Sequence, residues 1–229
     1  MSEINRVSWD DFITNFDWKQ GEHVAAIAPT GAGKTTLFKH ILPRRKYNIF
    51  FGTKPDDKLY HQILKNGYVR KESFDEIKPW ENNILLWVKQ RKTISETIDA
   101  QREAFRDALN SIVIQKGWTV WIDEAKYLSQ MLGLKEELTY CVEQLRSIDS
   151  TVICGAQRPA FLPPSVLAGS THVFLWKTTD RRDQEKLSDI GGIDASIVRN
   201  EAKSLGKHEF IYIKSRGTTS HTTISQTPK

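Results

Sequence analysis

Ala28-Pro29-Thr30-Gly31-Ala32-Gly33-Lys34-Thr35-Thr36 decides how this chain is read. An apolar run, Val24-Ala25-Ala26-Ile27, precedes it, and a helical pattern, Leu37-Phe38-Lys39-His40-Ile41-Leu42, follows. Strand, Gly-rich turn and helix start are the setting a phosphate-binding loop requires. Glycines let successive backbone N–H groups turn inward as an anion nest, and the helix N-terminus adds partial positive charge. Pro29, Thr30, Gly31, Ala32, Gly33, Lys34, Thr35 and Thr36 are therefore the expected phosphate cradle. Lys34 reaches the β- and γ-phosphates, and the Thr35 hydroxyl is placed for Mg²⁺. One position departs from G-x-x-x-x-G-K-[ST]: Ala28 stands where the first Gly is usual. Ala is the smallest side chain after Gly, so the turn is expected to survive.

A second acidic feature completes the pattern. Thr119-Val120-Trp121-Ile122 reads as an apolar strand ending in Asp123-Glu124. A carboxylate at a strand end can hold the Mg²⁺ shell, which assigns Asp123 with Thr35 to the metal. The next acid, Glu124, can activate the water that attacks a γ-phosphate. Ser150 to Gln157 reads as the neighbouring strand, and its terminal amide is placed to sense that phosphate. Arg146 ends the preceding helix and is the candidate for a guanidinium that neutralises transition-state charge, supplied across a subunit boundary as in ring ATPases. Arg158, Arg181 and Arg182 are its rivals. The expected ligands are thus ATP and Mg²⁺, with Lys34, Glu124, Gln157 and Arg146 in catalytic roles.

The remaining pattern alternates strands and helices. A short helix from Ser8 to Phe16 carries Trp9, Phe12, Ile13 and Phe16 on one stripe. Phe16 and Trp18 then either cover a purine ring or staple this helix to the sheet, and stapling is the simpler reading. Tyr47–Phe51, Asn83–Val88, Thr171–Trp176 and Glu209–Lys214 read as further strands. Helices are expected over Asp57–Lys65, from the capping box Thr93-Ile94-Ser95-Glu96 down to Gly117, over Leu134–Ile148, and in two pieces within 180–203 around Gly191-Gly192. Arg44-Arg45-Lys46 reads as a solvated turn. Lys89-Gln90-Arg91-Lys92, at the carboxyl end of a strand, is better placed to meet a polyanion. Residues 1–214 form the expected single ATPase domain, with 1–20 as a helical lead-in and 215–229 as a polar tail, loose in part.

Composition fits such a domain. The 229 residues are 39% hydrophobic and 27% charged, enough for a large core and unlike a disordered chain. No apolar run approaches the roughly 20 residues of a membrane span. The first residues are polar and lack a signal-peptide core, which points to the cytoplasm. Cys141 and Cys154 make no metal or disulfide pattern and read as buried thiols. Net charge is +5, with acids concentrated before the phosphate loop and bases from Arg199 onward. That asymmetry suits a face turned to a polyanion.

With these residues in hand, the chain resembles the FtsK/HerA superfamily of DNA-pumping P-loop ATPases. The similarity covers roughly residues 22–192. It rests on Ala28 to Thr36, on Trp121-Ile122-Asp123-Glu124-Ala125, and above all on Leu145 to Pro159, where a helix-end Arg, a strand and Gln157-Arg158-Pro159 follow in order. Thr178-Thr179-Asp180-Arg181-Arg182-Asp183 and Gly191-Gly192 are similar to the segment that follows in the family. The resemblance implies an α/β fold, a three-layer RecA/ASCE-type P-loop NTPase with a mostly parallel central sheet. It also implies a ring, pentamer or hexamer, that translocates double-stranded DNA. The small size is similar to that of the superfamily's viral genome-packaging ATPases, which implies a capsid portal or other virion partner and action in the host cytoplasm. Ala28 and the lack of a winged-helix domain are the departures. Three other readings compete: a pseudo-ATPase that only binds nucleotide, which Glu124 argues against, and two kinds of enzyme. Asp123-Glu124-Ala125-Lys126 looks like a DEAD/DEAH helicase motif, but such enzymes need two motor domains. A phage morphogenesis ATPase would act on protein rather than DNA.

Overall fold

A ten-stranded sheet runs through the computed structural model, which describes residues 4–187, 190, 194–215 and 221–228. Its spatial order is β1 (Asn5–Arg6), β10 (His221–Gln226), β9 (Glu209–Lys214), β8 (His172–Trp176), β2 (Val24–Ile27), β7 (Thr151–Ala156), β6 (Trp118–Ile122), β3 (Tyr47–Phe51), β5 (Asn83–Leu86) and β4 (Val69–Lys71). Every pairing from β8 to β4 is parallel, β9 is antiparallel to both β8 and β10, and β1 is parallel to β10. The sheet is therefore mostly parallel, as expected. Its central strands are apolar throughout because both faces are covered.

Side chains alternate between two cores. In β2, Ala25 and Ile27 enter one core while Val24 and Ala26 enter the other. The first core takes Phe105 and Leu109 of α4 (Ile94–Gln115), Leu138 of α5 (Lys135–Gln144), Leu167 of α6 (Pro164–Gly169) and Val198 of α8 (Ala195–Ser204). The second takes Phe12 of α1 (Trp9–Asn15), Leu37, Phe38 and Ile41 of α2 (Lys34–Ile41), and Leu59 and Ile63 of α3 (Lys58–Lys65). Helices on both faces make three layers. Each fully buried Phe or Leu adds about 1.5–3 kcal/mol of apolar burial.

Several elements start where local chemistry dictates. Thr93 Oγ1 accepts the Glu96 N–H at 3.1 Å, and the Glu96 carboxylate accepts the Thr93 N–H at 3.2 Å, so the capping box opens α4. Asp57 caps α3 through Leu59 N–H. The 134–148 helix is shorter than expected: α5 stops at Gln144 and a 3₁₀ turn carries the chain to Ile148, where Asp149 turns left-handed (φ 56°). Helices lie at Arg181–Lys186 (α7) and Ala195–Ser204, while Gly191-Gly192 lies outside the described residues.

Two expectations are corrected. The polar tail is not loose at 221–226. It forms β10, paired residue for residue with β9 from His221↔Lys214 to Gln226↔Glu209. Its β-branched Thr222, Thr223 and Ile224 suit a pleated strand, and Ile224 enters the core. Arg44-Arg45-Lys46 is exposed at Arg44 and Lys46, as expected, but Arg44 and the half-buried Arg45 are more than a solvated turn. Arg44 donates to the carbonyls of Phe16 and Ile13 at 2.6 and 2.5 Å, where α1 ends. Arg45 donates to Trp18 O at 2.8 Å, and its guanidinium lies 3.8 Å from the Trp18 ring centroid. Cations suit orphan carbonyls at a helix end. Phe16 and Trp18 are buried against the sheet, Phe16 packing on Phe174 and Tyr212, so both are staples. Both cysteines are buried, and burial pushes their thiols up. Among the described residues no helix is long and apolar enough to cross a membrane.

Candidate active site

The loop between β2 and α2 begins as a continuation of the strand. Ala28 is buried and donates its N–H to Ala156 O at 3.0 Å. Its φ is not positive, so the position usually held by Gly carries Ala without strain. The left-handed turns fall instead at Gly31 (φ 76°) and Gly33 (φ 116°), and Ala32 N–H closes back on Pro29 O at 3.2 Å. A Cβ on Gly33 would collide with Thr227, just beyond β10, so glycine is required there twice over.

Lys34 opens α2 and crosses the cavity floor to β6. Its Nζ lies 3.1 Å from Asp123 Oδ1 and 3.2 Å from Asp123 O. The carboxylate contact is within ion-pair range but misdirected for a hydrogen bond, and Asp123 Oδ1 is buried with no hydrogen-bond partner. A buried orphan oxygen beside a hydroxyl-bearing loop is a hard donor waiting for a cation or its water. Together with Thr35 it makes the oxygen donor set that suits Mg²⁺, which keeps few protein ligands and takes the rest from phosphate and water. Gly155 in β7 makes this approach possible: a Cβ there would sit 2.6 Å from Asp123 O and 3.0 Å from Lys34 Nζ. The next acid, Glu124, accepts a hydrogen bond from Gln157 Nε2 at 3.0 Å across the ends of β6 and β7.

These groups share one cavity of about 390 Å³, lined by Pro29, Thr30, Gly31, Gly33, Lys34, Thr35, Thr36, Asp123, Glu124 and Gln157. It lies at the carboxyl ends of parallel strands, where ligands of open α/β sheets collect. A hollow of about 550 Å³ between Tyr47, Phe74, Lys78 and Trp118 is larger. It sits at the opposite sheet edge and has neither loop nor paired acids, so size does not pick the site.

Four further residues line the cavity that the sequence reading left out: Lys54, Asp57, His208 and Pro228. His208 (φ 67°) sets Nδ1 3.2 Å from Ala32 O, while Thr227 N–H donates to His208 O at 3.0 Å. The β9–β10 hairpin thus buttresses the glycine turn. Gly155 carried a readable signal, since Gly inside a strand often marks close backbone approach. His208 carried none, because its partner Ala32 is distant in sequence, and Lys54, whose partners Asp57 and Tyr60 are local, carried none because its approach to the cavity depends on β3 lying beside β6.

Arg146 is not brought into this cavity. It sits before the amino end of β7, at the opposite edge of the sheet, where Nη2 donates to Thr171 Oγ1 at 2.9 Å. Arg158 is held by Asp183 at 2.8 Å and Asp180 at 2.9 Å, which ties the Gln157-Arg158-Pro159 turn to α7. Arg181 stands almost fully exposed beside Glu185. Gln90, Arg91 and Lys92 border a groove of about 460 Å³ that shares Lys54 with the cavity, and Glu72 lies 3.6 Å from Arg91.

No protein-family model matches the chain, and no curated protein sequence matches it. Solved structures do. The genome packaging NTPase B204 from Sulfolobus turreted icosahedral virus 2, in complex with sulfate, aligns with a TM-score of 0.67 at 14% identity, covering 93% of this chain and 99% of that one. B204 is also known in complex with AMPPCP and with ATP-gammaS. VirB4 of Thermoanaerobacter pseudethanolicus aligns at 0.67 and 11% identity, over 90% and 89% of the two chains. The cytoplasmic domain of the Thermomonospora curvata Type VII Secretion ATPase EccC aligns at 0.53 and 12%, over 91% of this chain and 26% of that one. The expected resemblance therefore holds at the level of architecture: this chain has the P-loop NTPase fold of the viral genome-packaging NTPase B204.

Proposed function

We propose that this chain is a Mg²⁺-dependent ATP hydrolase whose turnover drives double-stranded DNA into a viral capsid. The observation that carries the reading is the meeting of Lys34, Asp123, Glu124 and Gln157 in one cavity beneath the phosphate loop. The backbone N–H groups of residues 30–36 and the Lys34 ammonium hold the β- and γ-phosphates. Thr35 and Asp123 hold the metal, which when bound neutralises charge on the phosphate oxygens. Glu124 takes the proton of the attacking water. The Gln157 amide, spent on Glu124 in this state, turns to the γ-phosphate and so couples its presence to the base. Arg146 lies at the far edge and acts only on a neighbouring subunit's site, in a ring of five or six. Lys89, Arg91 and Lys92 face duplex phosphates, a capsid portal or other virion protein docks the ring, and the work is done in the host cytoplasm.

ATPase rates with and without duplex DNA, measured across a salt series, test this. Stimulation should fade steeply with salt, with a logarithmic slope of about −0.9 per phosphate contact. Turnover indifferent to DNA at every salt would remove the DNA half of the reading; absence of turnover would remove all of it. The likeness to EccC supports a second reading, an assembly ATPase acting on protein, which predicts that same indifference. For Arg146, rings mixed from Arg146→Ala and Glu124→Gln subunits should regain turnover. Verified mixed rings that stay dead would count against action in trans.

A further inference from the structure

Lys54 stands at the carboxyl end of β3, the strand next to β6 on the side away from the phosphate loop. Its backbone is fixed from both sides. Its N–H donates to Tyr60 Oη at 3.0 Å, and its carbonyl accepts from Trp87 Nε1 at 3.0 Å. Tyr60 and Trp87 are themselves buried in the core. The main chain is thus clamped while the side chain remains about 44% exposed and lines the nucleotide cavity with Asp123, Glu124 and Gln157. Its Nζ rests on Asp57 Oδ2 at 2.6 Å. Asp57 does not need that contact to cap α3, because it does so through its other oxygen, at 2.8 Å from Leu59 N.

Lys34 enters from one flank of Asp123 and Lys54 stands on the other. A triphosphate carries most charge at its terminal group, and Asp123, Glu124 and Asp57 make this end of the cavity acidic. One lysine is a thin counterweight. We propose that Lys54 is a second cationic subsite for the terminal phosphate: on triphosphate binding its ammonium leaves Asp57 for a γ-phosphate oxygen, and it returns when that phosphate departs. The clamped backbone makes this a side-chain swing with no loop movement. Burial works against the Lys54 ammonium, but the Asp57 contact and the charges of Asp57, Asp123 and Tyr60 outweigh it and hold the group above its usual 10.5. The inference rests on the ATPase reading above and adds a contact to it.

The test is a comparison of affinities for AMPPCP and ADP, in Mg²⁺ buffer, for wild type, Lys54→Met, Lys54→Arg and Asp57→Asn. Lys54→Met should lose about tenfold or more for AMPPCP, the scale of a charge-assisted contact, and little for ADP. Lys54→Arg should recover part of that loss. Asp57→Asn keeps a helix cap but releases the lysine, and should raise the preference for AMPPCP. If Lys54 only staples the β3–α3 turn, Lys54→Met and Asp57→Asn will lower thermal stability alike and leave the AMPPCP-to-ADP ratio at its wild-type value. That result overturns the subsite. Failure of the wild type to bind either nucleotide would instead overturn the ATPase reading.

Discussion

The two edges of the sheet treat charge in opposite ways. At the amino edge the main ionic groups among the described residues are held by their own chain, although Arg45 Nε is buried without a hydrogen bond. His172 is buried between Glu22, at 2.9 Å, and Tyr212, at 2.9 Å, while Arg44 and Arg45 close the end of α1 and Arg146 holds Thr171. At the carboxyl edge the contacts are incomplete. Asp123 Oδ1 lacks a hydrogen bond, Lys34 reaches it at a poor angle, and Glu124 has one amide on one oxygen. Both edges are rich in the same residue types. Open contacts that converge on one cavity, not charge alone, separate groups kept ready for a ligand from groups that hold the fold.

That contrast breaks if variants at the two edges fail in the same way. The largest effect is expected from Glu124→Gln, which should lower kcat at least about 100-fold while leaving nucleotide affinity and thermal stability near wild type. A stability loss comparable to that of an amino-edge variant would erase the distinction. Next comes Gly155→Ala, which pushes a methyl against Asp123 O and Lys34. It should cost about 1–3 kcal/mol in denaturant unfolding and weaken nucleotide binding as well, because it strikes the core beneath the site. At the amino edge, Glu22→Gln should cost about 1–3 kcal/mol of stability with kcat/KM unchanged.

Acid should act through the same amino-edge pair. Burial pushes the Glu22 carboxyl up, but hydrogen bonds from His172 and the Lys19 N–H outweigh it and hold the group well below its usual 4.5. Burial pushes the His172 imidazole below its usual 6.5, against the pull of Glu22. In both cases the unfolded chain binds protons more readily than the folded one. Stability should therefore be complete above pH 6.5 and fall as pH drops, first through His172 and then, below 4.5, through Glu22. In Glu22→Gln the lower part of that slope should flatten. The smallest effect is that of Thr93→Ala, about 1 kcal/mol from the lost cap of α4, far from either network.

Much of this was legible because the signals are local. Residues 24–36 spell strand, turn and helix within thirteen positions, Asp123-Glu124 ends an apolar run, and Thr93 and Glu96 announce a helix start. What stayed hidden depends on chain segments meeting across the sheet. Arg44 and Arg45 look solvated until α1 is laid beside them. Lys54 looks like turn chemistry until β3 is set next to β6. Thr222-Thr223-Ile224 read as part of a polar tail because hydroxyls masked β-branched shapes that pair well once β9 supplies a neighbour. Arg146 falls in the 3₁₀ turn beyond α5 rather than at the end of that helix, and the turn delivers it to the other edge.

The pairing of β2 also bears on how the protein is made. Val24 is flanked by Ile153 on one side and His172 on the other, and the turn at Gly33 leans on Thr227. A chain emerging from the ribosome exposes its phosphate loop long before any of these walls exist. The wall on the Gly33 side is complete only once β10 and Thr227 have been made, so chains stalled before them are expected to bind nucleotide poorly.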